Sequence, residues 1–378
     1  MNFEYSDEQQ QLADSLGKYL AGQYDFDKRK AILNSASGVS DSAWATFAGM
    51  GLTAIAVPEA DGGFGGGAVD LMAAMEACGE ALVVEPLLDN IGLAGRLVAK
   101  LGSAAQRAAL LPGMVDGSLR LAFASLEPGR RYELAPQTMV AQAQAQAQAE
   151  GSGWVLNGEK CMVVGAAAAQ RLIVSARTDT GASLFIVDPA ATGVTLNTSR
   201  TVDGLRAADV RLSGVLLGAD ALLGPAGGAL PAIEEATDFA TALLCADAVG
   251  AMKSANDATL AYMKSRKQFG VPIASFQVLQ HRMVEMVICT EQARSMAVLA
   301  ASKVDTCTDA KERARAVSMA KVKIADAARQ VSQESVQLHG GMGMTEELKV
   351  SHTFRRLTMA AQRFGDADHH LERFAALG

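Results

Sequence analysis

The chain has 378 residues, of which 49% are hydrophobic and 20% charged, and a net charge of −7. That length exceeds what one hydrophobic core usually supports, so two or three compact domains are expected, well outside the disordered regime of low hydrophobicity and high net charge. The acidic balance argues against a nucleic-acid surface, which needs a basic face to neutralise phosphates.

The N-terminal MNFEYSDEQQQLADSL has early acidic residues and no basic region ahead of an apolar run, unlike a signal peptide. No segment reaches the unbroken apolar length needed to span a bilayer, so no membrane partner is expected. Cys78, Cys161, Cys245, Cys289 and Cys307 are odd in number and lack a CxxC pair. They suit neither a disulfide framework nor zinc, and a reducing cytoplasm is the expected setting.

Residues 1–118 read as a helical domain, with Ser6 placed to cap the first helix and Val69–Ala81 rich in Ala, Met, Leu and Glu. The intervening VPEADGGFGGG, Val57–Gly67, reads as loop. It lacks the Lys-Ser/Thr ending of a P-loop and follows no βαβ strand, so phosphate binding there is not expected. Residues 119–226 change texture: RLAFASL, GWVLNGEKCMVV, RLIVSAR and SLFIVD are short β-rich runs separated by turn residues, which predicts an antiparallel β domain. AQAQAQAQAE, Ala141–Glu150, alternates at period two and predicts a half-exposed strand with a turn at Gly151–Gly153; low-complexity disorder is the competing reading.

Residues 227–378 return to helix. Ala274–Val304 carries Phe276, Leu279, Met283, Met286 and Val287 at three- and four-residue spacing, and Ala310–Leu338 has the same periodicity. The methionines read as core packing. Two stretches here carry more than packing. SRKQFGVPIASFQVLQHRMVEM sets Arg266 and Lys267 beside Gly270 and Pro272 at a break between helices, where a guanidinium can meet an anionic partner. QLHGGMGMTEE, Gln337–Glu347, puts three glycines at a helical interruption, which costs stability unless backbone must approach a ligand closely.

Together these strings resemble the acyl-CoA dehydrogenase family over nearly the whole chain. GLTAIAVPEADGGFGGG is similar to its N-terminal signature, GWVLNGEK to its β-domain hairpin, and RKQFGVPIASFQ and QLHGGMGMTEE to its two C-terminal flavin signatures. Within the family the chain most resembles the small subunit of two-component enzymes such as pimeloyl-CoA dehydrogenase, which share the GDADHHL ending. The resemblance implies an α+β fold with an N-terminal helical domain, a middle antiparallel β domain and a C-terminal four-helix bundle. It further implies an oxidoreductase that desaturates an acyl-CoA at the α,β carbons, with FAD held between subunits. By that likeness Arg266 holds the FAD pyrophosphate and Phe269 packs near the adenosine. Gln277, Gln337, Gly340 and Gly341 contact the adenylate half of a neighbouring subunit's cofactor. The implied partners are an acyl-CoA, an electron-transfer flavoprotein, and either a homologous chain in a heterotetramer or further copies in a homotetramer.

The family's reaction needs a carboxylate to remove the α-proton. If Arg356 in FRRLTMAAQRFGDADHH matches the family arginine, Phe364 matches the tyrosine and Gly365 stands in the glutamate's place. The alternative position for the base, on an earlier helix, falls at Ala240 and Thr241, again without a carboxylate. LEPGRRYEL keeps Glu127, Pro128 and Gly129 but has Leu126 for the family threonine, and CMVVGAAAA, Cys161–Ala169, replaces a Trp-Ile-Thr-Asn-Gly run. Those losses remove hydroxyl and stacking contacts to the isoalloxazine. The expectation is therefore a subunit of a heteromeric dehydrogenase that completes a partner's FAD site. A self-sufficient enzyme using Asp366 is the nearest rival, although aspartate is one methylene shorter.

The ending FGDADHHLERF admits one more class, a metal-binding bundle with Asp366, Asp368, His369 and His370 as ligands. No Glu has a His three residues later, as di-iron bundles require, and adjacent histidines diverge on a helix, so no metal is expected. His281, His339 and His352 read as structural or surface groups. A purely structural partner that binds neither FAD nor acyl-CoA would have no use for exposed cations and glycine amides at this spacing.

Overall fold

The computed structural model describes residues 5–145 and 152–378. The first helices are α1 (Asp7–Gln23), α2 (Phe26–Asn34), α3 (Asp41–Gly49) and α4 (Ala68–Ala81). A π-helical stretch, Leu88–Gly95, runs into α5 (Arg96–Leu101), and α6 (Ala104–Val115) follows. Eight strands come next: β1 (Leu121–Ala124), β2 (Val140–Ala145), β3 (Ser152–Val164), β4 (Arg171–Thr178), β5 (Gly181–Val187), β6 (Val194–Arg200), β7 (Arg206–Leu217) and β8 (Leu222–Leu223). The chain ends with α7 (Leu230–Ser265), a hairpin of β9 (Lys267–Gln268) and β10 (Val271–Pro272), α8 (Gln277–Thr306), α9 (Ala310–His339), α10 (Lys349–Gln362) and α11 (Ala367–Ala376). Among the described residues no helix is long and apolar enough to cross a membrane.

Packing divides the chain into two compact units that cut across the three segments expected from texture. One joins the chain up to Ala31 with Gly67–Val83 and Thr241–Gly378; the other joins Ile32–Gly66 with Val84–Ala240.

In the first unit α1 begins as its sequence suggests. The Ser6 hydroxyl accepts from the Gln9 amide, and the Gln9 side chain accepts from the Ser6 amide. The N-terminus of α4 is capped from afar: Asp305 takes the Ala68 and Val69 amides at 2.8 and 2.9 Å, satisfying donors the helix itself cannot. Helices α4 and α7 cross on glycines. A Cβ on Gly79 would lie 1.8 Å from the Asp247 carbonyl oxygen, and one on Gly250 the same distance from that of Glu76. Small residues at those two positions bring the backbones together. On α9, Val317, Ile324 and Val331 form the buried stripe its periodicity predicts.

In the second unit the eight-stranded sheet runs β6-β7-β3-β2-β4-β5-β8, with β1 alongside β4. Most pairs are antiparallel, as expected. Two are not: β1 pairs with β4 in parallel from Leu121–Arg171 to Ala124–Val174, and β2 meets β4 in parallel through Val140 and Arg177. Strands that are not joined by a short hairpin are free of the antiparallel constraint, and neither β1 nor β2 is followed directly by β4. Leu156, Val163, Leu172, Val174, Phe185, Val187, Val210 and Leu212 form the core of this sheet. The period-two reading of AQAQAQAQAE meets β2 as far as Ala145, paired in register with β3. Its continuation over residues 146–150, and Gly151 of the expected turn, lie outside the described residues.

Candidate functional site

Helix α7 stops at Ser265, ahead of the hairpin that contains Gly270 and Pro272. Phe269 and Gly270 both have positive φ, +53° and +84°, which makes a two-residue turn of the kind that joins twisted antiparallel strands. The turn lifts the Phe269 ring into solvent at 92% exposure, edge-on to Phe276 with centroids 6.1 Å apart. The Arg266 carbonyl accepts from the Ile273 amide at 2.8 Å, closing the hairpin base and leaving the guanidinium exposed. Among the described residues no carboxylate pairs with it. Gln277, the first residue of α8, is also exposed.

The second stretch ends α9. Gly340 turns the chain with φ +61°, and Gly340–Met344 continues as a 3-10 turn. Gln337, Gly340 and Gly341 are exposed, and a Cβ at either glycine would meet no atom within 4 Å. Two contacts bring this stretch to the hairpin: the Tyr262 ring stacks on His339 at 4.5 Å, and the Thr259 and Ser335 hydroxyls lie 2.8 Å apart. A cation without a carboxylate partner among the described residues, an outward aromatic ring, two carboxamides and a glycine turn open to close approach thus share one end of α7 and α9, the Gly340 amide itself donating to the Gln337 carbonyl. That donor set fits the anionic, planar parts of a dinucleotide such as FAD.

The FGDADHH region resolves into a helix start. Asp366 is the N-cap of α11, and its Oδ1 accepts from the His369 amide at 2.9 Å. His370 is buried, with Nε2 3.1 Å from the Phe364 carbonyl and Nδ1 3.2 Å from the Ser318 hydroxyl. A carbonyl only accepts, so Nε2 carries the proton and Nδ1 receives one from Ser318. Burial, with the Lys321 charge nearby, pushes the imidazole down to about 3. His369 sits edge-on to His370, and among the described residues no group of side chains is disposed to hold a metal ion. Gly365, which the sequence match sets against the family glutamate, has φ +121°. Its carbonyl accepts from the Lys321 ammonium at 2.7 Å. Ala240 and Thr241 are buried in α7 and carry no carboxylate.

In the sheet unit, Glu127 is a structural anchor. Its carboxylate accepts from Lys160 Nζ at 2.9 Å and from the amides of Gln137, Thr138 and Met139 at 2.8–3.0 Å. Burial alone would raise this acid, but the backbone donors and the Lys160 ammonium outweigh it and hold it at about 2. Lys160, fully buried, is pushed down to about 8. The Leu126 carbonyl accepts from the Cys161 amide at 2.9 Å, tying LEPGRRYEL to CMVVGAAAA. A register shift between Lys160 and Val163, with Met162 at φ +54°, re-aims that strand before Gly165.

Lys160 and Lys321 are the residues that sequence reading passed over. Lys321 leaves a trace: it continues the apolar stripe between Val317 and Ile324, where a charge has no place unless it is bonded.

Comparison with known proteins gives the same assignment along the chain. Residues 6–118 match the acyl-CoA dehydrogenase N-terminal domain, 122–215 its middle domain and 230–376 its C-terminal domain. Acyl-CoA dehydrogenase FadE12 of Mycobacterium tuberculosis is 31% identical, covering 93% of this chain and 90% of that protein. Among solved structures, the Tcur3481-Tcur3483 steroid ACAD, in a variant form, is 28% identical with a TM-score of 0.86, covering 98% of this chain and 97% of that one. The ChsE4-ChsE5 complex from Mycobacterium tuberculosis shares the fold at a TM-score of 0.89 and 23% identity, over 100% and 98% of the chains.

Proposed function

Because the chain belongs to the acyl-CoA dehydrogenase family, we propose that it is the subunit of a heteromeric, FAD-dependent acyl-CoA dehydrogenase that completes a partner's cofactor site without supplying the base. The observation that carries this reading is Asp366 engaged as a helix cap, beside the Gly365 that the match through Arg356 sets against the family's carboxylate. Meanwhile Arg266, Phe269, Gln277, Gln337, Gly340 and Gly341 remain exposed on the other stretch.

When bound, FAD accepts the hydride that leaves the β-carbon of the acyl-CoA. This chain's part is binding. Arg266 offers a planar, always-charged fork to a pyrophosphate, Phe269 a face for adenine, and Gly340 and Gly341 an open turn that a cofactor can approach closely. Similarity to the steroid ACAD supports a bulky acyl-CoA such as a steroid side chain as substrate class. A homologous chain and an electron-transfer flavoprotein are the partners, and the free cysteines accord with a reducing cytoplasm.

Flavin content and turnover of the chain alone, then with its homologous partner, test the proposal. Full turnover by the lone chain rejects it. The second reading, Asp366 as base, predicts that Asp366→Asn abolishes turnover while FAD stays bound; as an N-cap, the asparagine replaces aspartate with little loss.

A further inference from the structure

The proposed function leaves open whether the missing carboxylate is an accident of one codon or is built into the fold. The Phe364–Gly365 turn answers from three sides. Its backbone is unusual: Phe364 has φ +61° and Gly365 +121°, the latter beyond the left-handed region that side chains tolerate. Its interior is filled. A Cβ on Gly365 would lie 2.5 Å from His369 Cδ2, 2.7 Å from His370 Nε2 and 2.9 Å from His370 Cδ2. His370 cannot retreat, since it is 1% exposed and bonded at both ring nitrogens, to Phe364 and Ser318. Its outer edge is pinned as well. Lys321, 0% exposed, directs its ammonium to the carbonyls of Gly365 at 2.7 Å and Ala361 at 3.1 Å.

A buried lysine bonded to carbonyls meets its desolvation cost only if those carbonyls stay in place. The α9 helix therefore grips the turn through Lys321 and holds His370 through Ser318, and α11 fills the turn through His369 and His370. We propose that Lys321 and His370 are positioning residues that reserve position 365 for glycine, so that a carboxylate cannot be restored there by replacement. The inference rests on the functional reading above, in which this turn occupies the base's position, and deepens it: the chain is committed to a partner by its packing.

The test uses the full chain, folded as it is isolated. Gly365→Ala and Gly365→Glu should each lower Tm by about 5 °C or more, whereas Gly17→Ala, in a helix with nothing within 4 Å of the new methyl, should not. In a His370→Ala background the Gly365→Ala loss should shrink to about half, the non-additivity expected of direct contact. Lys321→Met should raise amide exchange at residues 364–370 by about tenfold while α8 is unchanged. The inference is overturned if Gly365→Glu keeps its Tm, if Gly365→Ala costs the same with and without His370, or if exchange at the turn ignores Lys321→Met. Turnover by the unmodified chain alone would instead overturn the functional reading, with the Tm comparison still deciding the turn.

Discussion

Lys160 and Glu127 meet at 2.9 Å with side chains 0% and 3% exposed, joining β3 to the loop that follows β1. Lys160 also donates to the Ser125 carbonyl and the Ser175 hydroxyl, so each charge is bonded on several sides. Removing one partner of such a pair leaves an uncompensated buried charge. Glu127→Gln should therefore cost about 3–5 kcal/mol in equilibrium unfolding, and it should loosen the Gln137–Met139 segment that the carboxylate gathers.

Acid should weaken the fold in two steps. His370 is held at about 3 when folded, below its ordinary value of 6.5. The unfolded chain binds that proton first, so stability is full above 6.5 and falls as pH drops from there towards 3. The groups facing His370 are Lys321, His369 and Arg373, with the Ser318 hydroxyl and Phe364 carbonyl. Glu127, depressed to about 2 from 4.5, contributes stability present above 4.5 and lost as pH falls through 2. Urea unfolding from pH 8 to 3 should show a decline that starts near pH 6.5 in the native chain; in His370→Asn that decline should be smaller but not absent, since burial also holds His339, His352 and His369 below their ordinary value.

The crossing of α4 and α7 leaves no room for a methyl group at Gly79 or Gly250, where the new atom would sit 1.8 Å from backbone oxygen. Gly250→Ala should cost about 2–3 kcal/mol by forcing the helices apart. Calorimetry checks this, and an unchanged Tm would show that the two helices are not in backbone contact.

If Arg266 holds a pyrophosphate, Arg266→Ala should weaken FAD retention by about 10- to 100-fold, the range for losing a charge-assisted hydrogen bond. Arg266→Lys should recover only part of it, because an ammonium lacks the planar fork. Flavin absorbance after gel filtration of the assembled complex measures both. Retention equal to the native chain's would remove Arg266 from the site.

Much of this molecule is legible in one dimension. The Ser6 cap, the apolar stripe of α9, the alternation of the strands and the Phe269–Gly270 turn all follow from interactions within a few residues, which a linear reading can count. Order and spacing of RKQFG and QLHGGMG sufficed to name the family. The FGDADHH cluster was the harder case, because residue types alone do not say whether Asp366 serves as a base.

Long-range packing adds what local pattern does not carry. Asp366 caps α11 locally, through the His369 amide, whereas His370 is a buried neutral ring because α9 supplies Lys321 and Ser318 from more than 40 residues away. Likewise Glu127 was settled as an anchor by Lys160 across the sheet, and the parallel pairing of β1 with β4 by strands far apart in the chain. The sequence by itself determined the elements, the family and the absence of a carboxylate at 365, since each is a property of local pattern or of residue identity. Only the tertiary structure decided that no side chain fits there, because φ and the space around a Cβ are set by neighbours the linear order does not reveal.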